Sequence, residues 1–297
     1  MSSKSMGFSP MTLATALYAA HKFAGDYTLV PQPHPGSRLQ SRFVNLLPDY
    51  LQALPFYDEY VSGIAAETAV EINRFLAEHG FDIHLHDWPN NGRNFGVAGV
   101  SDILDHWVNP GQLVPITGAD QTYEGFALSG DQWCDVVEPP LWFTNPVVRV
   151  STKKGLDVRF VMCDEPKDQI HLAHLARGLH TYNPGFRYTG HNGAHVPMVN
   201  LNTEPDVSWL INLGLSGPLG AWIIQQAKMQ VKLAMNEKGF RAEEASAMGM
   251  DEMCFGSTAE PLVLNRPFLM TAGKPDVPVP VFFAYISPDD WDDPSEL

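Results

Sequence analysis

QQAKMQVKLAMNEKGFRAEEASAMGMDEMCFGSTAEPLVLNRPFLMTAGKPDVPVPVFFAYISPDDW, residues 225–291, is the stretch on which the reading of this chain turns. It opens as an apolar strand, and Gly239 marks a tight turn after Asn236-Glu237-Lys238. A long segment without strand or helix periodicity follows. Asn265-Arg266-Pro267-Phe268 then leads into two more apolar runs, which predict two closing strands.

Outward from that stretch, composition narrows the class. The chain has 297 residues, enough to bury a large core, and no break in composition divides it, so 1–297 reads as a single domain. Charged residues make up 18% and apolar residues 44%, which excludes a disordered chain. The formal net charge is −15 with only 19 Lys and Arg, so the chain lacks the cationic surface that nucleic acid requires. Residues 288–297 form an acidic segment containing Asp289, Asp290, Asp292, Asp293 and Glu296, which we expect to be a solvated tail. The first residues lack the pattern of a secretory signal, and no apolar run is long enough to span a bilayer. Cys134, Cys163 and Cys254 are odd in number and lack CxxC spacing, which argues against a disulfide framework or a zinc knuckle. Together these features lead us to expect a cytoplasmic protein.

Ser9 and Pro10 predict a helix start, with Leu13, Ala16, Leu17 and Ala20 at helical spacing and Gly25 as the stop. Pro31, Pro33, Pro35 and Gly36 mark a loop. The pattern predicts helices over 65–79, 100–108, 171–180 and 205–213, and strands over 81–88, 123–133, 147–151 and 156–163. The fold class is α+β with a mostly antiparallel sheet.

Several segments, in order, resemble the serpins. FSPMTLATAL (8–17) is similar to the Ser-Pro helix start beneath the central sheet of that family. SDILDHWV (101–108) resembles its "INxWV" helix, and GFALSGDQW (125–133) the strand that ends in its signature Trp, here Trp133. VPMVNLNTEPDVSWLINLGL (196–215) resembles the strand and helix ahead of the loop strand. The resemblance makes 239–264 the equivalent of the reactive loop and implies a large, mostly antiparallel central sheet with packed helices. With so few residues ahead of Ser9, we expect the family's long first helix to be missing. The region between Gly36 and Ala65 is too short for the family's usual helices and second sheet strand. Met229 stands where the family commonly has a His beneath the sheet.

Serpins inhibit by inserting the cleaved loop as a new strand, which needs small residues at alternate positions. Here that set is Phe240, Ala242, Glu244, Ser246 and Met248. A Phe in a slot built for Thr overpacks it by roughly 1–3 kcal/mol, and an unpaired buried Glu costs several more. Arg241 and Glu243 are expected on the outward face. The resemblance implies a protease partner, with Met253 as the candidate cleavage position, while the hinge residues predict a scaffold that does not inhibit.

Other residue groups suit small-molecule chemistry. Glu71 and Arg74 fall on one face of the 65–79 helix, where a carboxylate and a cationic clamp meet a substrate or simply form a solvated ion pair. His84 and His86 share one side of the 81–88 strand, as acid–base groups, as an edge-strand polar face, or as metal ligands with His79 or Asp87. Trp88, Arg93, Tyr182, Arg187 and Tyr188 are candidate substrate contacts in polar, aromatic-rich segments. No nucleotide, flavin or zinc motif occurs, so no cofactor is expected. From this inventory we expect a serpin-like scaffold reused as a cofactor-free condensing or cyclising enzyme of specialised metabolism. The form favoured is Pictet–Spengler-type closure of an aromatic amine with an aldehyde, with Glu71, Arg74, His84 and His86 as the catalytic set. A serpin-type protease inhibitor and a non-catalytic binding protein stay open beside it, as does a homodimer.

Overall fold

Two strands in which every residue is buried, Asp157–Met162 and Phe268–Gly273, pair antiparallel at the centre of the protein. Both faces are covered, so Phe268–Gly273 carries no charge and the two charges of the other strand, Asp157 and Arg159, pair with each other. This computed structural model describes residues 4–33, 36–89, 94–119, 121–130, 133–183, 185, 189–218, 220–241 and 259–297. The central pair is extended into a six-stranded antiparallel sheet. Its order is Met6–Gly7, Phe282–Ile286, Phe268–Gly273, Asp157–Met162, Val147–Ser151 and Cys134–Val137.

A four-stranded sheet runs in the order Leu262–Val263, Ala194–Pro197, Thr122–Leu128 and Gln112–Thr117, with the first pair parallel. Another runs Val199–Thr203, Val231–Asn236, Gly239–Arg241 and Leu104–His106, all antiparallel. A three-stranded sheet joins Gly220–Ile223, Gly214–Gly217 and Thr28–Val30, and Val61–Ala66 pairs with Gly96–Ser101. The fold is α+β and mostly antiparallel, as the sequence predicts.

Four α-helices occur among the described residues: α1 (Pro10–Ala24), α2 (Ser37–Ala53), α3 (Ala69–Glu78) and α4 (Gln169–Thr181). Ser9 caps α1 by accepting from the Thr12 N–H, and Gly25 ends it with φ at 79°. No helix precedes α1 among the described residues, and none is long and apolar enough to cross a membrane.

Three expectations fail locally. The region between Gly36 and Ala65, read as too short for the family's usual helices and second sheet strand, holds the 17-residue α2 and leads into the Val61–Ala66 strand. The loop prolines drew attention away from the apolar spacing of Phe43, Leu46, Leu47 and Tyr50, all buried. Residues 100–108 form strands rather than a helix: Gly96–Ser101 and Leu104–His106 find sheet partners, and tertiary pairing overrides a short helical pattern. The helix expected over 205–213 shrinks to one 3-10 turn, Ser208–Leu210, followed by Asn212 at φ 68°. Trp107 has no exposed surface and packs against Phe126, Phe160 and Phe240 at 6.1, 6.3 and 5.7 Å, while Trp133 is 39% exposed.

The acidic tail is not free in solvent along its length. Trp291 is buried against Tyr123 and Phe268, with ring centroids 5.0 and 6.1 Å away, and the Leu297 carbonyl accepts from Arg241 Nη1 at 3.1 Å. Two polar groups are deep in the core. Asp105 accepts from the Thr152 hydroxyl and from the N–H groups of His106 (2.8 Å) and Lys154 (3.1 Å). Arg159 pairs with Asp157 at 2.6 Å and donates to the carbonyls of Leu179 and Tyr182 at the end of α4. Each buried charge is thus met by several partners, as a low-dielectric interior requires. Cys134 and Cys163 are free thiols, and burial pushes the Cys163 thiol up to about 12.

Candidate functional site

The buried apolar residues fall into two clusters. The large one surrounds the six-stranded sheet, and the small one gathers Ala66, Ile72, Leu76, Ala98 and Val100. Between them runs a cleft of about 1620 Å³, larger than a typical drug-sized ligand needs.

Glycine sets the back wall. Gly63 and Gly99 are opposite partners in the antiparallel pair of Val61–Ala66 and Gly96–Ser101, and α1 lies directly against them. A Cβ at Gly99 would come within 2.1 Å of the Thr12 carbonyl oxygen, and one at Gly63 within 2.9 Å of the Thr15 methyl. Only residues without a side chain permit that approach. The other face of the pair carries Ala98 and Val100 against Ile72 and Leu76 of α3.

Residues 81–88 form the front wall. They are extended, with Phe81, Ile83, Leu85 and Trp88 packed on the small cluster and Asp82, His84 and His86 outward and exposed. The alternation predicted from sequence is present, but no backbone ladder accompanies it. Polar side chains meet the backbone instead. Asn73 of α3 binds both N–H and C=O of Leu85, at 2.8 and 2.9 Å. From the opposite side, Gln226 binds both groups of His86 at 2.8 Å, and Gln230 accepts from the Asp82 N–H at 2.8 Å. Lys232 reaches the Gly80 carbonyl at 2.7 Å and Asp82 at 3.0 Å.

The apolar part of the cleft comes from Leu13 and Leu17 of α1, Met229 just ahead of the Val231–Asn236 strand, Leu233 and Phe240 of the sheet, and Trp88 of the front wall. Phe23, Phe95 and Trp222 form an aromatic rim, with centroid separations of 5.2 Å for Phe23–Phe95 and 5.6 Å for Phe95–Trp222. Asp102 and Arg241 contribute charge, and partial burial pushes the Asp102 carboxyl up while Arg241 opposes it. Such a cavity takes up an apolar or aromatic molecule with a few polar handles.

No protein-family model and no curated protein matches this chain by sequence. Solved structures do match. Serpin48 of the insect Tenebrio molitor shares 11% identity at a TM-score of 0.56, over 96% of this chain and 92% of that one. Human thyroxine-binding globulin complexed with thyroxine shares 13% at 0.55, over 95% and 91%. Human kallistatin shares 12% at 0.52, over 98% and 92%. The chain has the serpin fold.

Gly239–Arg241 is the described start of the segment expected to be the loop equivalent, and it bears on the steric expectation placed on Phe240. Phe240 is 1% exposed, opposite Met235 on one side and Asp105 on the other, and packs on Trp107. The ring occupies a slot shaped for it and does not overpack the sheet. Arg241, expected outward, lines the cleft and is only partly exposed. Ala242, Glu243, Glu244, Ser246, Met248 and the Met253 cleavage candidate lie outside the described residues.

The expected catalytic set is dispersed over the serpin-fold surface. Glu71 serves the start of α3: its carboxylate accepts from the Thr68 hydroxyl at 2.7 Å, and Thr68 caps the Glu71 N–H at 3.4 Å. Arg74 faces solvent with its nearest carboxylate, Glu78, at 3.9 Å. Neither lines the cleft. His84 and Trp88 do, with the Trp88 indole N–H donating to the Glu67 carbonyl at 2.8 Å. His86 lies on the same wall but outside the lining. Tyr182 ends α4 away from the cleft. Arg93, Arg187 and Tyr188 are outside the described residues. Among the described residues no three His, Cys, Asp or Glu side chains converge as a metal site.

Sequence reasoning missed Gln226, Gln230 and Lys232. Their signal was legible, because polar and apolar residues alternate through QAKMQVK (226–232), with Ala227, Met229 and Val231 between them.

Proposed function

We propose that this chain is a non-inhibitory, serpin-fold binding protein that holds an apolar, aromatic small molecule between its two hydrophobic clusters. The cleft itself carries this reading: a half-open groove in which Leu, Met, Phe and Trp side chains meet polar ones over a glycine-flattened back. Thyroxine-binding globulin, complexed with thyroxine, supports the idea that this fold accommodates such ligands. Cyclisation chemistry is the weaker form of the proposal, because Glu71 and Arg74 stand outside the cleft and only His84 and Trp88 of the expected set reach it.

Mass spectrometry of small molecules released on denaturing the purified protein tests the reading. A stoichiometric apolar compound is expected, and Ala16→Trp, which fills the α1 side, should abolish its retention. Absence of any such compound, together with no saturable uptake of the fluorophore anilinonaphthalene sulfonate, would overturn it.

One observation favours protease inhibition as a second reading. The Gly239–Arg241 strand is already seated between Val231–Asn236 and Leu104–His106. Incubation with trypsin-, chymotrypsin- and elastase-like proteases separates the two. A covalent complex on a denaturing gel supports inhibition; cleavage without a complex and without a gain in thermal stability supports the binding protein.

A further inference from the structure

We propose that the depression between the starts of α2 and α4, separate from the cleft, binds a small tetrahedral dianion, a phosphate or sulfate group. The chain carries 34 acidic residues against 19 Lys and Arg, yet Arg38, Arg42, Lys167 and His171 line this one depression with Leu39 and Asp168. Arg38 and Arg42 are one turn apart on α2, so they share a face. Lys167 stands just ahead of the Asp168 cap of α4.

The single carboxylate in the depression is spent. Asp168 Oδ1 accepts from the His171 N–H at 2.6 Å and Oδ2 from Arg42 Nη1 at 2.7 Å. Among the described residues neither Arg38 nor Lys167 forms an ion pair, and both are exposed. Two cationic groups are therefore left to meet an anion, and Arg42 keeps further N–H groups beyond the one given to Asp168. The Lys167 N–H points at His171 Nδ1, 3.1 Å away, which puts the proton of the neutral ring on Nε2 as one more donor.

The start of α2 adds to this charge. No side chain caps it and its first turn holds no acidic residue, whereas the start of α4 is already met by the Asp168 carboxylate. Arginine suits this ligand because its planar fork pairs two tetrahedral oxygens at once.

Isothermal titration of the full chain with inorganic phosphate and with sulfate tests the site. One saturable site is expected, weakening with added salt, and the tighter of the two anions names the source. Arg38→Gln/Lys167→Gln should weaken binding by at least about tenfold, while Lys22→Gln on α1 leaves it unchanged. Both substituted side chains are exposed, and circular dichroism checks that the variant keeps its fold. No saturable binding at millimolar anion, or equal binding by the double variant, overturns the proposal.

Discussion

The six-stranded sheet and the small cluster around α3 are held together by different means. In the sheet, backbone ladders join six strands, and the two central ones are buried at every residue. In the small cluster, the 81–88 wall has no ladder, and side chains of Asn73, Gln226, Gln230 and Lys232 satisfy its backbone. A ladder is cooperative and hard to open locally; side-chain tethers are individually weak and partly exposed to water. The comparison teaches that the fold joins a laddered scaffold to a wall held by side-chain tethers, the part expected to open more readily.

Truncating the scaffold gives the largest effect. Phe160→Ala, at a fully buried position packed on Trp107 and Phe268, should cost about 3–5 kcal/mol in urea denaturation. Phe81→Ala on the half-buried wall should cost clearly less, and equal losses would erase the distinction. Next in size, Gly99→Val drives a side chain into the Thr12 carbonyl. It should destabilise by roughly 1–3 kcal/mol or more and abolish fluorophore binding in the cleft.

A pH series sharpens the scaffold side. Burial lowers the pKa of His180, with Arg159 adding to it, while its Nε2–H donates to the Val277 carbonyl at 3.0 Å. The unfolded chain takes up a proton below about pH 6.5 that the folded chain refuses. Stability should therefore fall as pH drops through that range, by up to about 1.4 kcal/mol per pH unit from this group. His180→Gln should flatten the slope, and an unchanged slope refutes the assignment.

Loosening the wall costs less. Gln226→Ala/Gln230→Ala should lower stability by about 0.5–1.5 kcal/mol per bond at most. Hydrogen exchange should quicken at the Asp82 and His86 amides and stay slow in Asp157–Met162. The smallest effects belong to Glu71→Ala and Arg74→Ala, expected within about 1 kcal/mol because one supports a helix cap and the other an exposed pair. Ligand retention should be unaffected by both; loss of binding in either would return them to the functional site.

Several elements could be read from local chemistry alone. Ser9, Pro10 and Gly25 bracket α1 because a cap, a first-turn proline and a positive-φ glycine each act within a few residues. The 147–151 strand and the two closing strands were legible because burial on both faces leaves apolar runs. The site was legible only in part. His84 and Trp88 were found from the alternation of 81–88, but the partners of that segment lie at 226–232, and no local pattern links the two.

Residue order and residue type thus determined the helix starts, the buried strands and the order of segments that marks the serpin fold. Tertiary structure alone decided that 100–108 pairs as strand, that Phe240 fits a slot beside Trp107, and that glycine pairs and glutamine tethers enclose a cleft. Caps and apolar runs act over a few neighbouring residues, so sequence records them. Slots and clefts arise where segments far apart in the chain meet, and their shape exists only after the chain has packed.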